Sequence, residues 1–100
     1  MVRVFIMHNL SPGTSQREYE DYARQEYVPT VRSLPSVCEF NLYRSLAAPP
    51  GATVYSYIGV LDVSNLDDYE ADTQTQLCAD LQKGWAKRVT DVATIVGEPV

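Results

Sequence analysis

One imidazole, seven phenols and one indole are the side chains of this 100-residue sequence best suited to chemistry. His8 is the sole histidine and closes an apolar run, Val2 to His8, just before the segment Asn9–Gly13. Imidazole alone titrates near neutrality without strong perturbation, so His8 is the candidate general acid–base. The alternative is a histidine hydrogen-bonded at a strand end. Tyr19, Tyr22 and Tyr27 fall on the inner face of one helical stretch. Tyr19 and Tyr22 suit core packing, yet a buried tyrosine hydroxyl needs a partner. Together with Tyr43, Tyr55, Tyr57 and Trp85 these residues suit a pocket for a flat aromatic small molecule. Glu26, seven residues after Tyr19, is expected on the same face, as a rim group or a pocket acid with a raised pKa. The candidate catalytic set is therefore His8, Tyr27 and Glu26. The candidate substrate-binding set is Tyr19, Tyr22, Tyr43, Tyr57 and Trp85. Glu39, Arg44 and Asp62 lie within strands and read as ion pairs of a rim or dimer interface.

Other chemistries lack their residues. The sequence has no glycine-rich phosphate loop, no G-x-S-x-G, no HExxH and no His/Cys cluster. With one histidine, a facial-triad iron site would need unusual ligands. No metal and no cofactor is expected, and any catalysis would be acid–base chemistry and positioning. Cys38 and Cys78 match no metal spacing; they form one disulfide or, as the favoured reading, two reduced buried thiols. A net charge of −5 with no basic run disfavours a nucleic-acid or anionic-membrane surface. The N-terminal apolar run is too short for a signal peptide, and no stretch approaches membrane-spanning length. A cytoplasmic protein is expected.

The elements that must position these residues follow from periodicity. Residues 2–8 read as a strand. Ser11-Pro12-Gly13-Thr14 is a turn, and Thr14 or Ser15 caps a helix running toward Pro35, with Glu18 three residues after Ser15 as in a capping box. Pro29 inside it predicts a kink, because the carbonyl of Gln25 loses its donor. Residues 37–46 form a second strand, Ala48-Pro49-Pro50-Gly51 a loop, and residues 53–63 a third strand. Ser64 is expected to cap a second helix with Asp67 and Asp68 in its first turn, and a buried stripe of Leu66, Tyr69, Thr73, Leu77, Leu81 and Trp85. That stripe weakens near Gln74 to Gln76, where a break is expected. Residues 89–96 form the fourth strand.

The order β-α-β-β-α-β is the split βαβ arrangement of an α+β, ferredoxin-like domain spanning residues 1–100. Right-handed crossovers place both helices on one face of an antiparallel sheet. Yet Val2, Val4 and Ile6 oppose Phe5 and Met7, and Val54, Ile58 and Val60 oppose Tyr55, Tyr57 and Leu61. In the last strand Val92 and Val96 oppose Ala93 and Ile95. Both faces are apolar, and two helices cover only one. A second copy of the sheet is the simplest cover, so a homodimer is expected.

The segment Tyr22-Ala23-Arg24-Gln25-Glu26-Tyr27-Val28-Pro29-Thr30-Val31-Arg32-Ser33-Leu34-Pro35-Ser36-Val37 resembles the EthD-type branch of the dimeric α+β barrel superfamily. That branch tends to read Y-W-R-x-x-H-x-P-x-x-x-x-L-P-G-V here. The preceding S-P-G-T-S-Q-R-E-Y is similar to its loop and helix start. Tyr27 stands where the family usually carries histidine, and a tyrosine there can donate a hydrogen bond. Length and layout are most similar to the RedY/HapK proteins of prodiginine and bisindole pathways. The resemblance implies a dimer with a pocket between sheet and helices, and a role in pigment or indole secondary metabolism. Two functions follow from residues and resemblance together. One is a cofactor-independent, cyclase-like enzyme acting on a pyrrole- or indole-type intermediate, with a cofactor-free monooxygenase as a variant. The other is a carrier that binds such an intermediate unchanged. Fold alone does not choose between them.

Overall fold

A computed structural model describes residues 1–52 and 54–100. The strands are β1 (Val2–Leu10), β2 (Val37–Arg44), β3 (Tyr57–Val63) and β4 (Val89–Gly97). The helices are α1 (Gln16–Tyr22), continued through a π-turn at Ala23–Tyr27 into α2 (Val28–Arg32), then α3 (Leu66–Thr73) and α4 (Gln76–Ala86). The sheet runs β2-β3-β1-β4, antiparallel throughout, as the split βαβ arrangement requires.

Capping follows local chemistry. The Ser15 hydroxyl accepts from the Glu18 N–H at 3.1 Å, which starts α1. The second helical segment is capped by Asn65 rather than Ser64: the Asn65 side chain accepts from the Asp68 N–H at 2.8 Å. The expected break is present, and Thr75 recaps the chain as α4. Asp72 ties α3 back to the sheet by accepting from the Ser36 N–H at 2.8 Å. The expected third strand starts later, at Tyr57; Thr53 lies outside the described residues.

The core lies between sheet and helices. Val4, His8, Phe40, Tyr57, Leu61 and Val63 project from the strands toward Tyr19, Ala23, Tyr27, Val31 and Trp85. Gly59 of β3 lies beneath the Phe40 ring, and a Cβ there would stand 3.1 Å from its Cε1. The stripe expected for the second helical segment is mostly out of the core. Trp85 alone of it is buried, Tyr69 and Leu81 are half-buried, and Leu66 and Leu77 are exposed. The recap at Thr75 resets the helical phase, so α3 and α4 cannot present one continuous stripe. The opposite face of the sheet carries Phe5, Met7, Ile58, Val60 and Ile95, with the Arg3–Asp62 pair at 2.6 Å beside them. Among the described residues no helix is long and apolar enough to cross a membrane.

Candidate functional site

His8 owes its place to strand parity and to a bulge. It shares the helix-facing side of β1 with Val4 and Ile6 and pairs with Tyr57 across β3. On its other side the β1–β4 register shifts between Met7 and Asn9. Asp91 takes up the extra length at φ 54°, a left-handed conformation that aspartate tolerates better than most residues. His8 is thereby sunk into an aromatic cage. The Tyr57 ring stacks on it at 5.8 Å, and Tyr19 and Trp85 meet it edge-on at 5.5 and 5.2 Å.

One hydroxyl joins this cage. The Trp85 indole donates to the Tyr19 oxygen at 3.1 Å, and that oxygen lies 2.6 Å from His8 Nε2. With the Trp85 proton already directed at it, the Tyr19 hydroxyl satisfies most partners by donating its own proton to Nε2. His8 is then neutral, with its proton on Nδ1, an atom that makes no hydrogen bond among the described residues. Burial pulls the His8 pKa down to about 4, which agrees with the neutral form. Burial likewise pushes the Tyr19 hydroxyl well above its ordinary value.

Two hollows flank the cage. The first is a cavity of about 360 Å³ between the sheet and the two helical layers, lined chiefly by Ile6, Tyr27, Val31, Leu61, Tyr69, Leu81 and Trp85, with Thr73, Cys78 and Gln82 at its polar side. It exists because α3 and α4 stand off from the core. The Tyr27 ring packs edge-on against Phe40 at 5.3 Å and beside Trp85 at 5.6 Å. Burial raises its pKa strongly, so its hydroxyl keeps its proton. The second hollow is an open groove of about 520 Å³ between the helical segment and β2, lined by Glu20, Arg24, Arg32, Arg44 and Tyr57 over Val28, Pro29 and Leu42. Glu20 accepts from Arg44 Nε and from the Tyr57 hydroxyl, both at 2.8 Å. The Arg44 hydrogen bonds hold its pKa down at about 2, whereas burial and then Glu20 push Tyr57 up to about 12.

The sequence-derived candidates divide accordingly. Tyr27 and Trp85 line the apolar cavity, and Tyr57 lines the groove. His8 and Tyr19 lie behind both and line neither. Glu26 is exposed, not on the inner face. The π-turn inserts one residue, carried by the bond from the Val28 N–H to the Ala23 carbonyl, so Tyr27 takes the inward position that a regular helix would give Glu26. Tyr22 is buried, but its hydroxyl has no partner among the described residues, and the Arg88 guanidinium sits 3.9 Å over its ring. Tyr43 is 53% exposed and faces away from both hollows, paired with Ile58 on the uncovered side. The cysteines are free thiols; Cys38 is exposed and Cys78 half-buried, so neither is the buried thiol expected. Arg44 is paired with Glu20 in the groove rather than at a sheet-face interface. Glu20, Arg24 and Arg32 went unnoticed in the sequence, since charges on an exposed helix flank give no pattern. Among the described residues no group of three or more His, Cys, Asp or Glu could hold a metal ion.

The topology and the sheet-and-helix layering define a ferredoxin-like α+β protein with a hollow between its layers. The chain belongs to the family of the REDY-like protein HapK, whose model matches residues 2–100. Among solved structures it is similar to HapK from Hahella chejuensis, at 22% identity over 100% of this chain and 93% of that one, with a TM-score of 0.83. An EthD family protein from Bacillus halodurans C-125 superposes at TM-score 0.78 and 14% identity, covering 100% of both chains. A dimeric ferredoxin-like protein of unknown function from Thermobifida fusca superposes at TM-score 0.78 and 12% identity, over 98% of this chain and 90% of that one. No curated protein sequence matches the chain.

Proposed function

We propose that this protein takes a flat aromatic intermediate of a biosynthetic pathway, of the pyrrole or indole type, into the cavity beside Tyr27 and acts on it without a cofactor. The observation that carries this reading is the 360 Å³ cavity itself, apolar in most of its lining, with the Tyr27 phenol and the Trp85 indole in its wall. Its volume is in the range that encloses a small organic ligand. Tyr27 would donate a hydrogen bond to a carbonyl or ring heteroatom and favour charge developing there. His8 is then a positioning residue: through the Tyr19 hydroxyl it fixes the indole that forms part of the wall. The protein would work as a cytoplasmic homodimer, with Phe5, Met7, Ile58, Val60 and Ile95 covered by the same face of a second copy.

A carrier reading is favoured by one specific observation. His8, the only imidazole, stands behind the aromatic wall and out of reach of a molecule in the cavity. Trp85 is the only tryptophan, so its emission reports occupancy. Indole- and pyrrole-type carbonyl compounds are titrated while fluorescence is followed, and the mixtures are analysed by mass spectrometry. Saturable quenching with product, lost in Tyr27→Phe, supports catalysis. Saturable quenching without product supports the carrier, and no quenching sinks both.

A further inference from the structure

We propose that the groove between the helical segment and β2 is a separate ligand site that takes the carboxylate of a small organic anion. Three of the protein's eight basic residues, Arg24, Arg32 and Arg44, line this one groove in a chain of net charge −5, and Glu20 is the single carboxylate among its lining residues. The three guanidinium groups are not equally engaged. Arg44 is committed to Glu20 through one edge of its guanidinium, Nε and one terminal nitrogen. Arg24 reaches Glu20 and Asp21 only at 3.3 and 3.4 Å and remains largely exposed. Arg32 has no carboxylate partner among the described residues. Its Nε donates to the Phe40 carbonyl at 2.9 Å and one terminal nitrogen to Asn41 Oδ1 at 3.3 Å. The bond to the Phe40 backbone anchors its guanidinium, the longer contact to Asn41 adds to it, and other donors are left free.

A guanidinium fixed in place by neutral acceptors is suited to bind a carboxylate through paired hydrogen bonds, because its geometry is set before the ligand arrives. Arg24 supplies a second positive charge that can swing across the opening. Val28, Pro29 and Leu42 give the groove apolar lining beside its guanidinium groups, which fits the body of an organic acid better than a bare inorganic anion. Glu20 lowers the affinity by repulsion and by occupying Arg44, so the site has a built-in opponent. This site stands apart from the Tyr27 cavity and does not depend on what that cavity holds.

The full-length protein is titrated with benzoate and, separately, with its neutral isostere benzamide, following the arginine side-chain N–H signals by NMR. Benzoate is expected to shift the Arg32 signal saturably, and benzamide is not. Arg32→Gln should weaken benzoate about tenfold, the loss of a charge-assisted hydrogen bond. Glu20→Gln should tighten it several-fold by removing the repulsion. Ala79 also lines the Tyr27 cavity, and Ala79→Leu, which adds bulk there, should leave benzoate binding as it was. The site is overturned by equal binding of benzamide, by unchanged affinity in Arg32→Gln, by loss of benzoate binding in Ala79→Leu, or by the absence of a saturable shift. Thermal unfolding of each variant, all at partly exposed positions, confirms that the folded protein is being compared.

Discussion

His8 Nε2 and the Tyr19 hydroxyl oxygen stand 2.6 Å apart in a fully buried contact, and the Trp85 indole donates to the same oxygen. The histidine is held as an acceptor, which opposes its protonation. Its pKa falls from 6.5 to about 4 on folding. Between these values the unfolded chain binds more protons than the folded one, so stability is full above pH 6.5 and declines as pH falls toward 4. The total loss from this one group is roughly 3 kcal/mol. As the sole histidine, His8 gives a single imidazole NMR signal, and that signal is expected to titrate near 4. A midpoint near the ordinary value would contradict the buried acceptor.

Tyr19→Phe removes the hydroxyl that joins the cage. It leaves the Trp85 N–H and His8 Nε2 without their partner in a buried site, while the ring's packing is kept. The expected cost is about 2 kcal/mol, near the desolvation penalty of one or two unsatisfied groups. Chemical denaturation of the variant measures it, and a change within error would mean that water replaces the hydroxyl.

Tyr27→Phe should behave in the opposite way. Tyr27 lines the cavity and its hydroxyl makes no hydrogen bond among the described residues, so the unliganded protein should change by less than about 0.5 kcal/mol. Aromatic carbonyl ligands should lose about fivefold to tenfold in affinity, the worth of one hydrogen bond. Trp85 fluorescence titration in parallel with denaturation separates the two effects.

Gly59→Ala tests the close approach of Phe40 to β3. The added Cβ would meet the ring at 3.1 Å, and Phe40 is fully buried with little freedom to move. A destabilisation of about 1–2 kcal/mol is expected, as for overpacking in a filled core. Thermal melting measures it.

The uncovered sheet face predicts self-association. Ile95 is 57% exposed on that face, beside Phe5 in register. Ile95→Lys should leave the monomer folded and shift sedimentation toward the monomer, because an unpaired ammonium would be buried in the contact. Unaltered sedimentation would remove the sheet face from the interface.

The strands, their alternation and the two-faced sheet were legible because period-two patterning places Val4 and Ile6 against Phe5 and Met7 whatever the tertiary context. The break between α3 and α4 was legible because polar residues from Gln74 to Gln76 interrupt the helical stripe. The site was legible only in part. Tyr27 and Trp85, which line the cavity, were singled out by type and periodicity. Glu26 was placed on the wrong side because a π-turn carries no periodic signal; Pro29 announced a disturbance without giving its form. Tyr43 was grouped with the pocket by composition, although strand parity sends it to the other face. Asn65 took the cap from Ser64 because both residues can cap, and only the placement of the first turn decides between them. The arginine groove joins an exposed helix flank to an edge strand, and no spacing along the chain connects those.

The π-turn at Ala23–Tyr27 makes the inward residue a matter of counting. Tyr27 lies eight positions after Tyr19 and still points inward, whereas seven would suffice in a regular helix. Loss of one residue between Ala23 and Glu26 would bring Tyr27 to the seventh position and keep its phenol at the cavity. Relaxing the turn at constant length would instead rotate Glu26 inward and set a carboxylate where the phenol now stands. Over this short stretch the form of the turn therefore selects the functional group offered to a ligand, and a regular turn of the same length would offer an acid in place of a phenol without a substitution at either position.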